Sequence, residues 1–273
     1  MATEYQLGII PVKVNELPPE EVLISQGRAL IDGSASWHKG KTFYKTVQTS
    51  SRSKFKGEPA NWHARVSEHG PEEATFDELW NKLGVNKGEN EVNYVKEVKK
   101  ATLVKQISPT QAIWSMYYKF PPPVSPRVFT VLQTIQFNEA SPREGLIVSI
   151  PVDLSPDAEL AKKEEKGVKA RYVSIEQLKE LENGKTEWRM ATSSRAEGLI
   201  PQFLTESSMP SSISHDVPGL LNWLKTLRAP EQGKEQAAAA PPASSEEPST
   251  ASTAPGAAAT EAAPVEASPA AGK

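Results

Sequence analysis

One residue type and several sequence features are absent from this chain, and each absence excludes a class of protein. Among 273 residues there is no cysteine, which excludes disulfide scaffolds, thiol catalysis and cysteine-based metal sites. No stretch approaches the ~20 apolar residues that a membrane-spanning helix needs. The first ten residues have no basic start with an apolar core, and no Asn-X-Ser/Thr acceptor occurs. We therefore expect a cytoplasmic protein.

Aromatic residues are missing from the C-terminal part of the chain. Beyond Glu231 the only large aliphatic residue is Val265, and alanine, proline, serine, threonine and glutamate make up nearly all the rest. Such a segment buries too little apolar surface to offset the entropy lost on ordering. The composition predicts a folded domain over residues 1–230 and a disordered tail over residues 231–273.

Charge gives little indication of a nucleic-acid partner. The net charge is −3, and the tail accounts for it with six glutamates against two lysines, so the folded part is close to neutral. The basic cluster considered as a binding face is Lys96, Lys99, Lys100 and Lys105, which alternates with apolar residues. We interpret it as a solvated strand edge, where lysines discourage edge-to-edge pairing. No nucleic-acid partner is expected.

The first third of the chain reads as a helix followed by two strands and a short helix. Pro19–Ile31 has acidic residues at its start and an apolar face, as a helix requires. Thr42–Ser50 and Asn61–His69 read as strands, separated by a basic, serine-rich loop. Thr75 and Glu78 form a capping box that opens a helix ending near Gly84.

Further along, apolar residues alternate with period two, which indicates a series of long antiparallel strands. Asn183-Gly184 predicts a hairpin with a type I′ turn. Ser174–Leu181 also fits a capped helix, but the hairpin that follows favours a strand. The alternating sets are Ala112, Trp114, Met116, Tyr118 and Phe120; Phe129, Val131, Ile135 and Phe137; and Leu146, Val148, Ile150, Val152 and Leu154.

The pattern becomes helical again after Gly198, with prolines that should divide it. Pro210 and Pro218 predict breaks, and Asp216 is suited to cap a final helix over Val217–Leu227 with a leucine stripe. Long strands with helices on one side describe an α+β fold.

This order of elements resembles the helix-grip fold of START and pollen-allergen-like proteins. More narrowly, six motifs from about Trp62 to Leu224 resemble a fungal START-like domain family of uncharacterised function. The resemblance implies a curved antiparallel sheet around a C-terminal helix, enclosing an apolar cavity for a lipid-like molecule, and no family-wide catalytic residue. The motifs are Trp62–His69, Ala74–Leu79, Phe120-Pro121 with Ser125–Phe129, Ile150–Leu154, Tyr172–Glu176 and Glu187–Thr192 with Gly198.

Arg65 is the leading candidate for a ligand contact. On a strand it shares a face with His63, Ser67 and His69, whereas Trp62 is on the other face. Either the polar face lines the cavity and Arg65 binds a ligand carboxylate or phosphate, or that face is solvated. Arg127 follows a proline-rich connection and either meets a ligand head group at the cavity mouth or pairs with an acid such as Asp153. The full set of predicted ligand-binding residues is Trp62, Arg65, His69, Trp114, Tyr118, Arg127, Trp188 and Leu224.

Two classes of function remain open. The first is a carrier, transfer or sensing protein for a hydrophobic or amphipathic small molecule. The second is a cyclase-type enzyme that needs no metal or cofactor, since helix-grip proteins include cyclases. The sequence shows no acid–base or metal constellation, which favours the first class. We expect no catalytic residue, no metal and no cofactor, and a monomer that contacts membranes only transiently.

Overall fold

A curved antiparallel sheet forms the centre of the structure, which a computed structural model describes for residues 5–239. Along the sheet the strands follow the order β2-β3-β4-β11-β10-β8-β7-β6-β5, and two-residue strands β1 and β9 pair in parallel with β8 and β7. The strands are β1 Val12–Lys13, β2 His38–Phe43, β3 Val47–Arg52, β4 Trp62–His69, β5 Val98–Ser108, β6 Gln111–Tyr118, β7 Arg127–Asn138, β8 Glu144–Asp153, β9 Val168–Lys169, β10 Arg171–Glu180 and β11 Thr186–Arg195.

The first helix covers one face of this sheet. Helix α1, Glu20–Gly33, packs through Leu23 and Ile31 against the apolar stripe of β8, as the alternation in the sequence predicts. Gly27 makes the close approach possible, because a Cβ at this position would lie 2.5 Å from Cγ2 of Val148. The remaining helices are α2 Phe76–Leu83, α3 Lys87–Tyr94, α4 Ala158–Ala161 and α5 Gln202–Ala239, with a short 3₁₀ turn at Ser34–Ser36.

The opposite face of the sheet carries α2 and α5. Ile147, Leu178 and Trp188 of the sheet form one core with apolar side chains from both helices. Helix α2 begins with the predicted capping box, in which Thr75 and Glu78 each accept a hydrogen bond from the other's backbone N–H. The structure is therefore an α+β fold with a curved sheet around a C-terminal helix, as predicted.

The strand predicted over Thr42–Ser50 is a hairpin instead. β2 ends at Phe43 and β3 begins at Val47, and Tyr44 and Lys45 turn the chain with φ of 49° and 68°. Because neither residue is glycine or asparagine, the sequence gives no turn signal there. Helix α3 was also missed: its eight residues, KGENEVNY, have no strong apolar period.

The hairpin predicted at Asn183-Gly184 is confirmed, but its turn type is not. β10 and β11 pair as expected, so Ser174–Leu181 is strand rather than helix. Only Gly184 of the turn has positive φ, at 77°, whereas a type I′ turn needs two such residues. The three-residue loop, with Leu181 and Lys185 joined by a backbone hydrogen bond, matches a type I turn followed by a left-handed glycine.

Helix α5 is continuous through both prolines that were expected to split it. Pro210 and Pro218 lie inside Gln202–Ala239, and Asp216 is an interior residue of the helix rather than a cap. A proline inside a helix costs about 3 kcal/mol. Burial of the stripe formed by Ile213, Val217, Leu220 and Leu224 offsets this, since each such side chain contributes about 1.5–3 kcal/mol.

The predicted tail lies largely outside the described residues. The compact unit ends at Gln232, and from Gly233 onward only helical backbone as far as Ala239 is described. Disorder over residues 231–273 stays a prediction. In the described part of the chain, none of the helices combines the length and the apolar character that crossing a bilayer would demand.

Candidate ligand-binding cavity

A cavity of about 960 Å³ lies between the sheet and the first half of α5. Side chains of β4, β10 and β11 form its inner wall, and residues from Leu199 to Asp216 form the helical wall. Leu199 and Leu204 line the cavity and are also exposed to solvent, so this end is the mouth. The volume is at the upper end of the range for small-molecule sites in proteins.

Arg65 lies in the cavity wall and is almost completely buried, with 1% of its surface exposed. Its Nε donates to the carbonyl of Ile213 in α5 at 2.7 Å, and its guanidinium carbon lies 3.9 Å from the ring centre of Trp188. Both terminal nitrogens are buried with no hydrogen-bond partner among the described residues. Burial lowers the pKa of Arg65, while Glu176 and Asp216 raise it. Both terminal amino groups of this cation are therefore left unsatisfied.

The second buried cation, Lys87, has its partners in place. Its Nζ lies 2.8 Å from Oε1 of Glu91 and 2.8 Å from Oε1 of Glu176. Burial alone would lower the pKa of Lys87, but the two carboxylates more than offset it and raise the pKa well above its usual value. Glu176 also accepts from Nε1 of Trp188 at 3.0 Å. Burial would raise the pKa of Glu176, yet Lys87 and Arg65 hold it below its ordinary value.

Asp216, the third carboxyl in the cavity wall, keeps its proton to a higher pH than an ordinary aspartate does. Burial raises the pKa of Asp216 to about 7; Arg65 opposes the rise, whereas Glu91 and Glu176 add to it. Burial likewise raises the pKa of Glu91, against the effect of Lys87. Arg65, Lys87, Glu91, Glu176 and Asp216 thus form one charged cluster in the cavity wall.

Aromatic and aliphatic side chains line the rest of the cavity. Tyr94, Tyr118 and Tyr172 belong to three different elements, and burial raises the pKa of all three hydroxyls. Phe129 lies edge-on to Tyr118, with ring centres 5.0 Å apart. The wall thus offers an apolar surface for a hydrocarbon body and a charged cluster for one polar group. Within the described residues there is no group of three or more His, Asp or Glu side chains placed to hold a metal ion.

The structure brings four of the eight predicted site residues to the cavity. These are Arg65, Tyr118, Arg127 and Trp188. The polar face of β4 is buried, so the interpretation that this face is solvated is wrong: Arg65 faces the cavity, while Trp62 packs in the α1 core.

The other four predicted residues are placed elsewhere. Trp62 packs beside Trp37 on the α1 side of the sheet. The ring of His69 is hydrogen-bonded to the side chains of Ser67 and Glu73. The remaining two, Trp114 and Leu224, belong to hydrophobic clusters and are not among the residues that line the cavity.

Arg127 does not pair with Asp153 as one interpretation predicted. Its Nε donates to the carbonyl of Ala196 at 3.1 Å and one terminal nitrogen donates to that of Glu197 at 3.2 Å, while the other bonds the carbonyl of Ser125. The carboxylate of Asp153 instead accepts from Ser155. Arg127 therefore ties the start of β7 to the end of β11 with its side chain at the cavity wall.

Sequence reasoning missed most of the charged cluster. Lys87 and Glu91 were not identified, Asp216 was interpreted as a helix cap, and no acid–base constellation was expected. Lys87 and Glu91 are spaced i,i+4, which is the spacing of an ion pair on a helix, but the missed helix concealed that signal. Glu176 appeared only within a resemblance motif.

One family model matches this chain, over residues 62–224, and its description is "Protein of unknown function (DUF3074)". The match covers more than half of the sequence and spans the cavity residues from Arg65 to Asp216. The chain belongs to the DUF3074 family. No curated protein matches it by sequence.

Solved structures of START-related proteins share the fold of this DUF3074 chain. Human StAR-related lipid transfer protein 5 has a TM-score of 0.64 at 17% identity, covering 77% of this chain and 96% of its own. Human STARD10 has a TM-score of 0.64 at 11% identity, covering 81% and 85%. A STAR-related lipid transfer protein from Xanthomonas axonopodis has a TM-score of 0.54 at 16% identity, covering 69% and 98%. At these identities the likeness establishes the START fold alone.

Proposed function

We propose that this protein binds an amphipathic, lipid-like molecule in the cavity under α5 and acts as its carrier, transfer protein or sensor. The ligand's polar head contacts Arg65, and its apolar body lies against the aromatic wall and points toward the mouth. The START fold shared with proteins named for lipid transfer supports this reading.

The observation that carries the proposal is the unsatisfied guanidinium of Arg65. Leaving a buried charged donor without an acceptor is costly, and both terminal nitrogens of Arg65 are in this condition. Lys87 already has two carboxylates, so it needs nothing from a ligand. A carboxylate or phosphate accepts from both guanidinium nitrogens at once, which a neutral ester does less well.

The test is a pair of titrations with a fatty acid and its methyl ester. Loss of a buried, charge-assisted pair costs about 2–5 kcal/mol. Arg65→Met should therefore weaken binding of the acid by about thirtyfold or more, while binding of the ester hardly changes. Arg65→Lys keeps the charge without the two-pronged geometry and should give an intermediate loss.

Arg189→Met is the matched control. Arg189 neighbours the cavity residue Met190 on β11, but its guanidinium pairs with Glu187 instead of lining the cavity. This variant should bind both ligands as the wild type does. Equal losses for acid and ester in Arg65→Met would show that Arg65 supports the fold and does not read the head group.

A cofactor-free enzyme of the cyclase type is the second candidate, and Asp216 is the observation in its favour. A carboxyl with a pKa of about 7 in a cavity wall is suited to donate or accept a proton near neutral pH. Native mass spectrometry of protein purified from its source identifies any retained molecule. A carrier releases that molecule unchanged, whereas an enzyme converts it with turnover that Asp216→Asn abolishes.

A further inference from the structure

One stretch of the chain concentrates positive charge in an otherwise balanced protein. Between Asp32 and Glu58 there are six lysines and arginines and no acidic residue. Arg52 pairs with Glu58, but none of the five lysines of this stretch forms a salt bridge within the described residues. Their charge is therefore not neutralised by the fold.

These lysines lie along one edge of the molecule. Strand β2 is the last strand of the sheet, and Lys39 and Lys41 on it are exposed. The loop after β3 starts beside the same end of β2, since Ser51 pairs with His38. It carries Lys54 and Lys56, both exposed. We call these four lysines the basic edge.

Exposed aromatic side chains accompany the basic edge. Phe55 lies between Lys54 and Lys56 and exposes 65% of its surface. The backbone N–H of Lys54 donates to Asn61, whose amide donates to Glu206 of α5. Phe203, 68% exposed, is three residues before Glu206 and hence on the same side of the helix.

The mouth of the cavity is close to this surface, because Leu199 and Leu204 flank Phe203 in the chain. Two nearby acids do not cancel the charge of the lysines. Glu58 forms a salt bridge with Arg52, and Glu206 accepts hydrogen bonds from Asn61 and Gln202.

We propose that the basic edge, with Phe55 and Phe203, docks this protein on a bilayer surface rich in anionic phospholipid. Lysines near such a surface are attracted by its negative potential, and aromatic rings insert at the level of the head groups. A nucleic acid would also attract the lysines, but the interleaved apolar rings and the adjacent cavity mouth favour a membrane. The proposal does not depend on the cavity being filled.

The experiment is sedimentation of the full chain with vesicles of phosphatidylcholine, with and without phosphatidylserine. Each lysine near the surface contributes about 1 kcal/mol. The quadruple variant K39Q/K41Q/K54Q/K56Q should therefore bind the anionic vesicles about a thousandfold more weakly. Binding of the wild type should weaken as salt is raised. Phe55→Trp should shift its fluorescence to shorter wavelength when anionic vesicles are added.

A matched variant, K99Q/K105Q/K166Q/K179Q, removes the same charge from exposed lysines elsewhere and should bind anionic vesicles within a few-fold of the wild type. Equal losses for the two variants would overturn the proposal, as would a wild type that ignores phosphatidylserine. If the basic-edge variant loses affinity for single-stranded RNA but not for vesicles, the surface is a nucleic-acid site and the proposal is wrong. The fatty-acid titration of the basic-edge variant should match the wild type, so failure of docking is distinguishable from failure of ligand binding.

Discussion

Replacing Asp216 with asparagine should change how the stability of the protein depends on pH. Burial raises the pKa of Asp216 from 3.8 to about 7 in the folded state. The unfolded chain gives up this proton near the ordinary value, whereas the folded protein keeps it until about pH 7. Ionisation of Asp216 therefore favours the unfolded state, and stability falls as the pH rises through this window.

The size of the effect follows from the two pKa values. One unit of difference corresponds to about 1.4 kcal/mol, so the wild type loses up to about 4 kcal/mol from this group between about pH 4 and pH 7. The loss is complete about one pH unit above the folded pKa, and it stays constant at higher pH. Asparagine has nearly the shape of the protonated aspartate and does not ionise. The Asp216→Asn variant should therefore become more stable relative to the wild type as the pH rises over this range.

The assay is urea unfolding of both proteins at a series of pH values from about 4 to 8. The difference in free energy of unfolding, variant minus wild type, should rise with pH and then level off. Asp32→Asn, at an exposed position on α1, controls for the loss of a negative charge at the surface. A difference that stays flat across the range would show that Asp216 is ionised throughout, and the argument from burial would be wrong.

The same group should affect the binding of an acidic ligand. When Asp216 ionises it supplies a negative charge close to Arg65, which competes with a ligand carboxylate. We expect the wild type to bind the fatty acid more weakly above pH 7, and the Asp216→Asn variant to lack this decline. The methyl ester should show no such pH dependence with either protein.

Two further predictions concern how α5 is held. Leu224→Ala should destabilise the protein by about 2–5 kcal/mol, because Leu224 is buried beside α2. The affinity for the fatty acid should stay within a few-fold of the wild type, because Leu224 does not line the cavity. Unchanged stability together with faster ligand loss would contradict this. Gly219→Ala places a Cβ 2.5 Å from the backbone oxygen of Tyr94. Overpacking of about 1–3 kcal/mol should outweigh the gain in helix propensity, so both stability and ligand affinity should fall. Gly33→Ala, where a Cβ would have nothing within 4 Å, should lower neither stability nor ligand affinity in the same denaturation and binding assays.

Local signals were enough to predict many of the elements. The capping box at Thr75, the alternation along β8 and the hairpin before β11 are each decided by a few neighbouring residues. The structure confirms the helix, the strand and the hairpin, although the type of the hairpin turn differs. Predictions failed where distant contacts override local preference. A proline in a helix interior usually ends or kinks the helix. Helix α5 nevertheless continues past Pro218, because its apolar stripe is buried.

The charged cluster was hidden for a different reason. Lys87 is on α3, Glu176 on β10 and Asp216 on α5, so these groups meet only after the sheet has curved and α5 has docked. No spacing along the chain records that meeting. Only the Lys87–Glu91 pair has a signal along the chain, because the two residues are four positions apart on one helix.

The surroundings of Arg65 could not be predicted from the sequence pattern of its strand. Alternation of polar and apolar residues tells which side chains share a face, but a face lining a polar cavity and a face meeting solvent have the same composition. On β4, Trp62 and Ala64 share one face, and Arg65 and Ser67 share the other, as for a strand half exposed to water. Trp62 and Ala64 are buried in the α1 core, and Arg65 on the polar face is buried because α5 covers it. What distinguishes the two cases is therefore the covering helix, some 150 residues away along the chain, whose carbonyl at Ile213 holds Arg65 in place.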